Sequence, residues 1–550
     1  MRIINLLSMN FSIVENFIAS IFLLIVKDWL LISFIIILIY VINYYYKYFT
    51  RENPLPGPLP LPWIGNLYLF HGDLDIVFYN LQEKYGELFE IYLGSDRKIW
   101  LGNASLIEKI HNPSSKTKFP IRAINEGLDE MGVTTKGVAF NNDLVAWKFN
   151  RRIISSTIMV PSFLRQFVNE SEKVFQEFEI YWINLTKENN NYVLNFPDWS
   201  TRFFADAISL ASIGKPAHMM ATQYNRLVPK DLKTLNSKPG LYQFEEFLDR
   251  IRLWLKSVHF FYFVPRFVRH YIPPMNFLYK KYIRNITWID NYLIGFVKER
   301  RKEIENTPKE EALSSDILTL LICANTDRDK FSIKANDEFS RPMTDEEIRY
   351  CIFEVIGGGI DTTAHSTSFL IHYLCKNPEK KAKVYAEIDN VFKGDKIRPM
   401  TYDDIEKLVY VEAAAKESSR LMPIVPSVFK RAINDVMIGG LNWKTGQEFF
   451  VHQHYIHHNK SHWSNPEEFI PERFLGGTNK IEKNSFIPFG GGIRQCPGRH
   501  LGMTGIKTFI ALLFRKYDVS LEDPKAPLKK VYTLANECHE LKLYIQPRKD

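Results

Sequence analysis

Cysteine is scarce in this chain of 550 residues. The sequence contains Cys323, Cys351, Cys375, Cys496 and Cys538, and the first 322 positions have no cysteine. An odd, one-sided set is a poor disulfide framework, and no CxxC pair offers a structural zinc site. The sequence therefore excludes a disulfide-stapled fold, and we expect the catalytic part to face a reducing compartment.

A strong excess of charge is also missing. The formal net charge is +8, hydrophobic residues make up 46% and charged residues 24%. Such a composition excludes wholesale disorder, and the charge is too dilute for a nucleic-acid binder. It suits an anionic membrane surface or an acidic protein partner. No repeat or low-complexity tract follows Gly65.

A long apolar run is present near the N-terminus. Residues 1–28 form an N-terminal segment, and residues 29–46 follow without a single charge. At ~1.5 Å per residue this run measures about 27 Å, enough to cross a thin bilayer. Trp29 and Tyr44–Tyr46 occupy its two ends, where aromatic side chains prefer the membrane interface. A cleaved signal peptide fits less well, because the run is long and no small-residue cleavage site follows. A buried core helix is the other alternative. We predict one transmembrane anchor over residues 29–46.

Proline dominates the next segment. Residues 47–65 contain NPLPGPLPLPW, in which alternate prolines forbid helix and favour a stiff spacer. Residues 66–550 are predicted to form one domain that is mainly α with minor β. Strand-like alternation occurs at Leu88–Leu93 and Leu541–Ile545. The polar stretch 303–342, with an apolar turn near Ile317–Cys323, is interpreted as a surface connection.

One cysteine lies in an unusual loop, FGGGIRQCPGRHLG, over Phe489–Gly502. The glycines let the backbone approach a flat ligand, and Arg494 places a fixed charge beside Cys496. Helical spacing begins after the loop, so Cys496 lies near a helix N-terminus, which favours thiolate over thiol. A thiolate is the donor that a haem iron needs for O–O cleavage.

A second pattern, EVIGGGIDTTAHSTS, occupies Glu354–Ser368. A capping box of Thr344 and Glu347 opens this helix. Three glycines in mid-helix cost roughly 1 kcal/mol each, so the helix is expected to bend or to have a flat group against it. Asp361 and Thr362 follow at once, and such a pair can hold water and move protons.

Two further spacings are weak by themselves. Glu417 and Arg420 are i, i+3 on a predicted helix, and Arg473 follows in PERF. Trp147 and Arg151 are one helical turn apart, so an indole N–H and a guanidinium share one side.

Together these motifs resemble the cytochrome P-450 superfamily of haem-thiolate monooxygenases. Phe489, Gly492, Arg494, Cys496 and Gly498 match its cysteine-ligand loop, and the other motifs occur in the family's order. The resemblance covers nearly everything from Asn53 onward. It implies the cytochrome P-450 fold and a haem b group with Cys496 as the axial iron ligand.

The resemblance also implies roles for the other residues. Thr362 is expected to hydrogen-bond dioxygen and Asp361 to supply protons. Residues expected to contact the cofactor, several of them at its propionates, are Trp147, Arg151, Arg431, Phe489 and Arg494. Glu417, Arg420 and Arg473 are expected to form a buried structural triad behind the haem.

The function implied is insertion of one oxygen atom from O2 into an apolar lipid, terpenoid or xenobiotic. Electrons come from NADPH through a separate NADPH–cytochrome reductase, with a b-type cytochrome as a second donor. The expected location is the endoplasmic reticulum membrane, with the catalytic domain facing the cytosol. Two alternatives stay open: a haem-thiolate isomerase or dehydratase of oxygenated lipids, and a non-catalytic haem-binding protein. Neither needs the Asp361–Thr362 pair.

Three further features of the sequence each have two interpretations. The histidines of residues 452–462 suggest a metal cluster or, more simply, packing, because no ligand spacing such as HExxH occurs. His365 is interpreted either as part of a proton relay or as a core histidine. The aromatic and basic stretch within 242–279 either roofs the substrate cavity and dips into the bilayer, as in the family, or forms a core helix.

Overall fold

A computed structural model describes residues 29–548 except 115, 189–192, 230–232, 234–242, 330–339 and 477–480. The N-terminal segment 1–28 and the middle of the polar stretch 303–342 lie outside the described residues. The described chain is mainly helical with minor sheet, as predicted.

Helices provide most of the structure. The α-helices are, in order, α1 (Trp29–Phe49), α2 (Leu74–Tyr85), α3 (Glu126–Glu130), α4 (Leu144–Ile158), α5 (Pro161–Glu188), α6 (Phe196–Ile213), α7 (Met219–Leu227), α8 (Gln243–Phe263), α9 (Arg266–Tyr271), α10 (Met275–Asn306), α11 (Ile317–Cys323), α12 (Asp345–Lys376), α13 (Pro378–Phe392), α14 (Tyr402–Glu406), α15 (Val409–Leu421), α16 (Gln453–His458) and α17 (Arg499–Lys516). Short 3-10 turns occupy Leu67–Leu69, Pro471–Phe474 and Gly492–Arg494.

Four small sheets accompany the helices. The strands are β1 (Leu88–Leu93), β2 (Asp96–Leu101), β3 (Leu194–Asn195), β4 (Ser427–Arg431), β5 (Val436–Ile438), β6 (Leu441–Trp443), β7 (Glu448–His452), β8 (Tyr517–Leu521), β9 (Lys529–Tyr532), β10 (Asn536–Glu540) and β11 (Lys542–Pro547). One sheet has the order β1-β2-β7-β4, and β3-β11-β8, β9-β10 and β5-β6 form the others. In the largest sheet β2 is parallel and β4 antiparallel to β7.

The chain divides into two compact units. The first contains residues up to 69 together with 90–97, and the second contains 70–89 and 98–550. In the first unit α1 is long and apolar enough to cross a membrane. In the proline-rich segment of this unit, the Pro56 carbonyl accepts a hydrogen bond from the Glu90 N–H at 3.0 Å. The five alternate prolines lie outside any helix, whereas α1 continues to Phe49, three residues past the predicted end of the anchor.

The second unit has a helical core in which α12 packs against α6, α10, α15 and α17. Thr344 and Glu347 form the predicted capping box at the start of α12. The predicted strands at Leu88–Leu93 and Leu541–Ile545 correspond to β1 and β11.

The polar stretch 303–342 differs from its interpretation as a surface connection. The apolar turn near Ile317–Cys323 is a buried helix, α11, rather than a surface turn. Asp316 caps α11 through the Thr319 N–H at 2.9 Å, and Arg300 forms a buried ion pair with Asp316. Six of its seven side chains are buried, so burial outweighs the polarity of the flanks.

Candidate active site

The loop before α17 is closed by the backbone of its own cysteine. The Cys496 N–H donates to the Phe489 carbonyl at 2.9 Å, and Gly490 and Gly492 have φ of +68° and +67°. A Cβ on Gly491 would lie 2.4 Å from the His111 ring, so the loop needs glycine there. Both features fix the position of Cys496 two residues before the N-cap of α17.

The thiol of Cys496 is accessible, although protein surrounds it. Burial raises the pKa of Cys496; the Gly498 N–H and the charges of Arg151 and Arg122 oppose this. The donor at the helix terminus lowers the pKa of Cys496, as the sequence predicted, but desolvation outweighs it. A metal cation bound at the sulfur would favour the thiolate.

Arg494 and Trp147 lie together, as the spacing predicted. The Arg494 guanidinium stacks 4.0 Å from the centre of the Trp147 ring and donates to the Pro120 and Asn141 carbonyls at 2.7 Å each. The Trp147 indole N–H is buried and has no hydrogen-bond partner in the described part of the chain. Arg151, one turn along α4, is half-buried; burial lowers its pKa, and the interaction with Cys496 raises it.

The predicted Arg431 already has a carboxylate partner in this structure. Arg431 lies near the end of β4, and its Nε donates to the Glu448 carboxylate at 3.0 Å. The preceding residue, Lys430, points to the other face of the strand and is 3% exposed. Burial and the charges of Arg122 and Arg494 hold the pKa of Lys430 well below its usual range. No carboxylate pairs with Lys430 within the described residues, so an anion bound beside it would stabilise its charged form.

Lys430, Arg122 and Glu354 are site residues that the sequence analysis missed. The Glu354 carboxylate on α12 accepts the Val138 N–H at 2.7 Å and the Ala139 N–H at 2.9 Å. Burial raises the pKa of Glu354 to about 7, while these hydrogen bonds and Arg122 lower it. A lone carboxylate within the apolar run Ile352–Ile356 was the available signal.

The glycines of α12 leave one face of the helix open. The helix runs without a break from Asp345 to Lys376, and a Cβ on Gly358 would meet nothing within 4 Å. The glycines on either side are closer to other helices. A Cβ on Gly357 would lie 3.5 Å from the Ile251 side chain, and a Cβ on Gly359 would lie 3.0 Å from the Ile208 side chain. The open space at Gly358 agrees with the prediction that a flat group can lie against this helix.

Thr362 and Asp361 lie beside this open face. The Thr362 hydroxyl donates to the Gly358 carbonyl at 2.6 Å, so it is held at the glycine face. The Asp361 carboxylate lies 3.5 Å from the Arg252 guanidinium on α8. Arg252 also lies 3.6 Å from Asp249, and neither distance is that of a tight ion pair.

Helix α17 brings the cysteine loop to the same part of α12. A Cβ on Gly505 would lie 3.5 Å from the Thr363 side chain, and one on Gly502 would lie 3.9 Å from its hydroxyl. The glycines of α17 thus allow this helix to pack closely against α12 at Thr363, the residue after Thr362. The arrangement places a cysteine loop, an acid–alcohol pair and a cationic cluster around α12.

The predicted triad is present and buried. Arg420 donates twice to the Glu417 carboxylate, at 2.9 Å from both Nε and Nη2, and Arg473 donates to it at 3.2 Å. Glu417 and Arg420 are completely buried. Arg420 also donates to the carbonyls of His457 and Pro466, so it links α15 to the segment before the cysteine loop.

The histidines of residues 452–462 pack into the protein. His454 bonds Asp75 at 2.8 Å, His452 bonds Gln82 at 3.2 Å, and His457 accepts the Ile487 N–H at 2.9 Å. No group of three or more metal-ligating side chains has metal-site geometry among the described residues. The structure supports packing over a metal cluster here.

Comparison with known proteins agrees with this geometry. The family model described as cytochrome P450 matches residues 55–543. A steroid 17-alpha-hydroxylase/17,20 lyase of Mesocricetus auratus is 26% identical over 86% of this chain and 87% of its own length. A (+)-vincadifformine 19-hydroxylase of Catharanthus roseus is 24% identical over 87% of this chain and 89% of its own. Cytochrome P450 3A11 of Mus musculus is 24% identical over 92% of this chain and 93% of its own. The chain belongs to the cytochrome P450 family and is an oxidoreductase of the monooxygenase type.

Proposed function

We propose that this protein inserts one oxygen atom of O2 into an apolar organic substrate, taking two electrons from NADPH through a separate reductase. The balanced reaction is RH + O2 + NADPH + H⁺ → ROH + H2O + NADP⁺. The observation that carries the proposal is the Asp361–Thr362 pair, which borders the open face of α12 next to the helix that carries Cys496. An isomerase, a dehydratase or a haem carrier needs no such pair.

The residues around Cys496 fit a haem group. Its accessible sulfur would hold the iron, and Phe489 shapes the loop through its carbonyl. Within the described residues the Trp147 N–H has no hydrogen-bond acceptor, and Lys430 has no anionic partner. The carboxylates of a haem would provide both. Positive charge around the site also comes from Arg151, Arg122 and Arg494. Arg431 is already paired with the Glu448 carboxylate. When bound, the haem supplies the redox centre at which dioxygen is reduced.

The protein's own groups would supply position and protons. Thr362 holds a hydroxyl at the open face, where it would accept and pass on protons. Asp361 would bring protons to it, and the Asp361 carboxylate lies 3.5 Å from the Arg252 guanidinium on α8. Glu417, Arg420 and Arg473 would keep the segment before the cysteine loop rigid, which preserves the position of the sulfur.

The proposed substrate is a neutral apolar molecule such as a lipid, a terpenoid or a xenobiotic. Ile251 and Ile208 flank the glycine face of α12 with apolar surface. The relatives include proteins named as hydroxylases of a steroid and of vincadifformine, which supports a small organic substrate. The net charge of +8 suits an acidic electron donor such as a reductase, with a b-type cytochrome as a second donor.

The proposed location is the endoplasmic reticulum membrane, with α1 as the anchor and the catalytic part in the cytosol. The length and composition of α1 support the anchor. Exposed aromatic side chains at α9 and the start of α10, namely Phe267, Tyr271 and Phe277, support a second membrane contact. A protease added outside sealed microsomes is expected to digest the catalytic part.

The central test combines a spectrum with turnover. The reduced carbon monoxide complex of the protein is expected to show the thiolate-type Soret band, and Cys496→Ala is expected to abolish it. Cys375→Ala is the control, because Cys375 bonds the Val519 carbonyl away from the site. Reductase-dependent consumption of NADPH and O2 by the wild-type protein completes the test. A thiolate-type band without such consumption favours the isomerase or the haem carrier.

A further inference from the structure

His365 lies on α12 four residues after Asp361, so both side chains lie on the same side of the helix. The ring is 8% exposed. Its Nδ1 accepts the Cys538 N–H from β10 at 3.3 Å. The two helices and the strand around this ring bring three charged groups toward it: Asp361 on α12, Glu537 on β10 and Arg252 on α8.

The backbone bond to Cys538 fixes the tautomer of His365. Because Nδ1 is an acceptor, the single proton of a neutral imidazole must be on Nε2. Burial lowers the pKa of His365, against the attraction of Asp361 and Glu537, and this favours the neutral ring. A ring whose Nδ1 is blocked by an amide N–H cannot accept a proton there and release one from Nε2. The geometry therefore favours a fixed hydrogen-bond donor over a proton relay.

We propose that His365 is a positioning residue for Asp361. Its Nε2–H, directly or through one water molecule, holds the carboxylate toward Thr362 when the Arg252 ion pair loosens. At 3.5 Å that ion pair is long, so the carboxylate is able to exchange partners at small cost. The bond from Cys538 makes β10 the support that orients the ring. This inference rests on the proposed monooxygenase function.

Dioxygen itself is a suitable probe of proton supply, because its reduction products differ in the number of protons that their formation consumes. Superoxide release needs no proton: NADPH + 2 O2 → NADP⁺ + H⁺ + 2 O2•⁻. Peroxide release takes one proton from solvent: NADPH + H⁺ + O2 → NADP⁺ + H2O2. Water formation takes two: 2 NADPH + 2 H⁺ + O2 → 2 NADP⁺ + 2 H2O. A misplaced Asp361 must therefore raise the superoxide share of the electrons consumed.

The experiment uses the full-length holoenzyme with reductase in membranes, NADPH and O2, and no organic substrate. His365→Leu is expected to raise the superoxide share by roughly 10-fold, the size expected for loss of one hydrogen bond to a charged group. His365→Gln is expected to restore the wild-type share, because an amide can accept from Cys538 and donate to Asp361. The control is His372→Leu, a buried histidine on the same helix whose pKa is lowered by burial and by Lys376.

Each outcome is decisive. A wild-type share in His365→Leu overturns the inference, as does an equal rise in the His372→Leu control. A His365→Gln variant as defective as His365→Leu also overturns it, because a titrating relay is then required. Variants that lose the carbon monoxide spectrum are replaced by His365→Asn, which keeps an amide in a smaller side chain. If the wild-type protein itself reduces no dioxygen with the reductase, the proposed function has failed instead.

Discussion

The guanidinium of Arg252 lies 3.5 Å from the carboxylate of Asp361, although the two residues are 109 positions apart in the chain. The ion pair joins α8 to α12 beside the open glycine face. It gives the proposed proton donor a nearby but loosely held partner before any substrate binds. The proton chemistry of the site thus depends on the packing of two helices as well as on the motif.

Asp361→Asn is expected to slow the whole catalytic cycle. The amide keeps the shape of the side chain but removes the proton source, and groups of this kind typically contribute ~10²–10⁴-fold. The measurement is the rate of reductase-dependent NADPH consumption with a ligand that shifts the haem spectrum. Asp249→Asn is the matched control, because Asp249 contacts the same arginine from α8 at 3.6 Å. Equal rates for Asp361→Asn and the wild-type protein would contradict the proton-donor role.

Thr362→Ala is expected to uncouple electron consumption from product formation. The variant lacks the hydroxyl held at the Gly358 carbonyl, while Cys496 and the cationic cluster are untouched. NADPH is then consumed with release of hydrogen peroxide and little hydroxylated product. The ratio of product to NADPH gives the coupling. Thr367→Ala serves as the control, because its hydroxyl makes the same kind of bond, to the Thr363 carbonyl at 2.8 Å. Undiminished coupling in Thr362→Ala would favour isomerase chemistry.

Lys430→Met is expected to weaken haem retention more than Arg431→Met. Lys430 is buried and has no anionic partner in the part of the chain that the structure describes, whereas Arg431 already pairs with Glu448. Loss of one charged hydrogen bond is worth ~1.5–3 kcal/mol, which corresponds to roughly 10–100-fold in affinity. The haem-to-protein ratio after gel filtration, together with the haem dissociation rate, measures the effect. A greater loss in the Arg431 variant would support the assignment made from sequence.

Deletion of residues 1–50 is expected to release the protein from membranes in part. The anchor helix α1 is then absent, and the aromatic side chains Phe267, Tyr271 and Phe277 still favour an interface. Adding Phe267→Ser and Phe277→Ser to the deletion is expected to complete the release. Sedimentation with liposomes measures binding, and the carbon monoxide spectrum checks that the haem site is intact. Full release by the deletion alone would exclude the second contact.

The sequence by itself determined the groups whose partners are close in the chain. The glycine loop around Cys496, the pair Asp361–Thr362 and the spacing of Glu417 and Arg420 are local patterns, and the structure keeps each of them together. Local spacing predicts these groupings because the period of a helix, or the length of a loop, determines which nearby side chains lie on the same side. The capping box of α12 was predictable for the same reason.

Tertiary structure decided which groups from distant elements meet, and how burial shifts their chemistry. Lys430 and Arg431 differ by one position in a strand, so which of them faces the cationic cluster depends on how β4 packs. Arg252, Arg122 and Glu354 reach the site from separate elements, and no local pattern encodes that approach. The net shift in the pKa of Cys496 was not predictable from helix position, because desolvation depends on every atom that the fold brings around the sulfur.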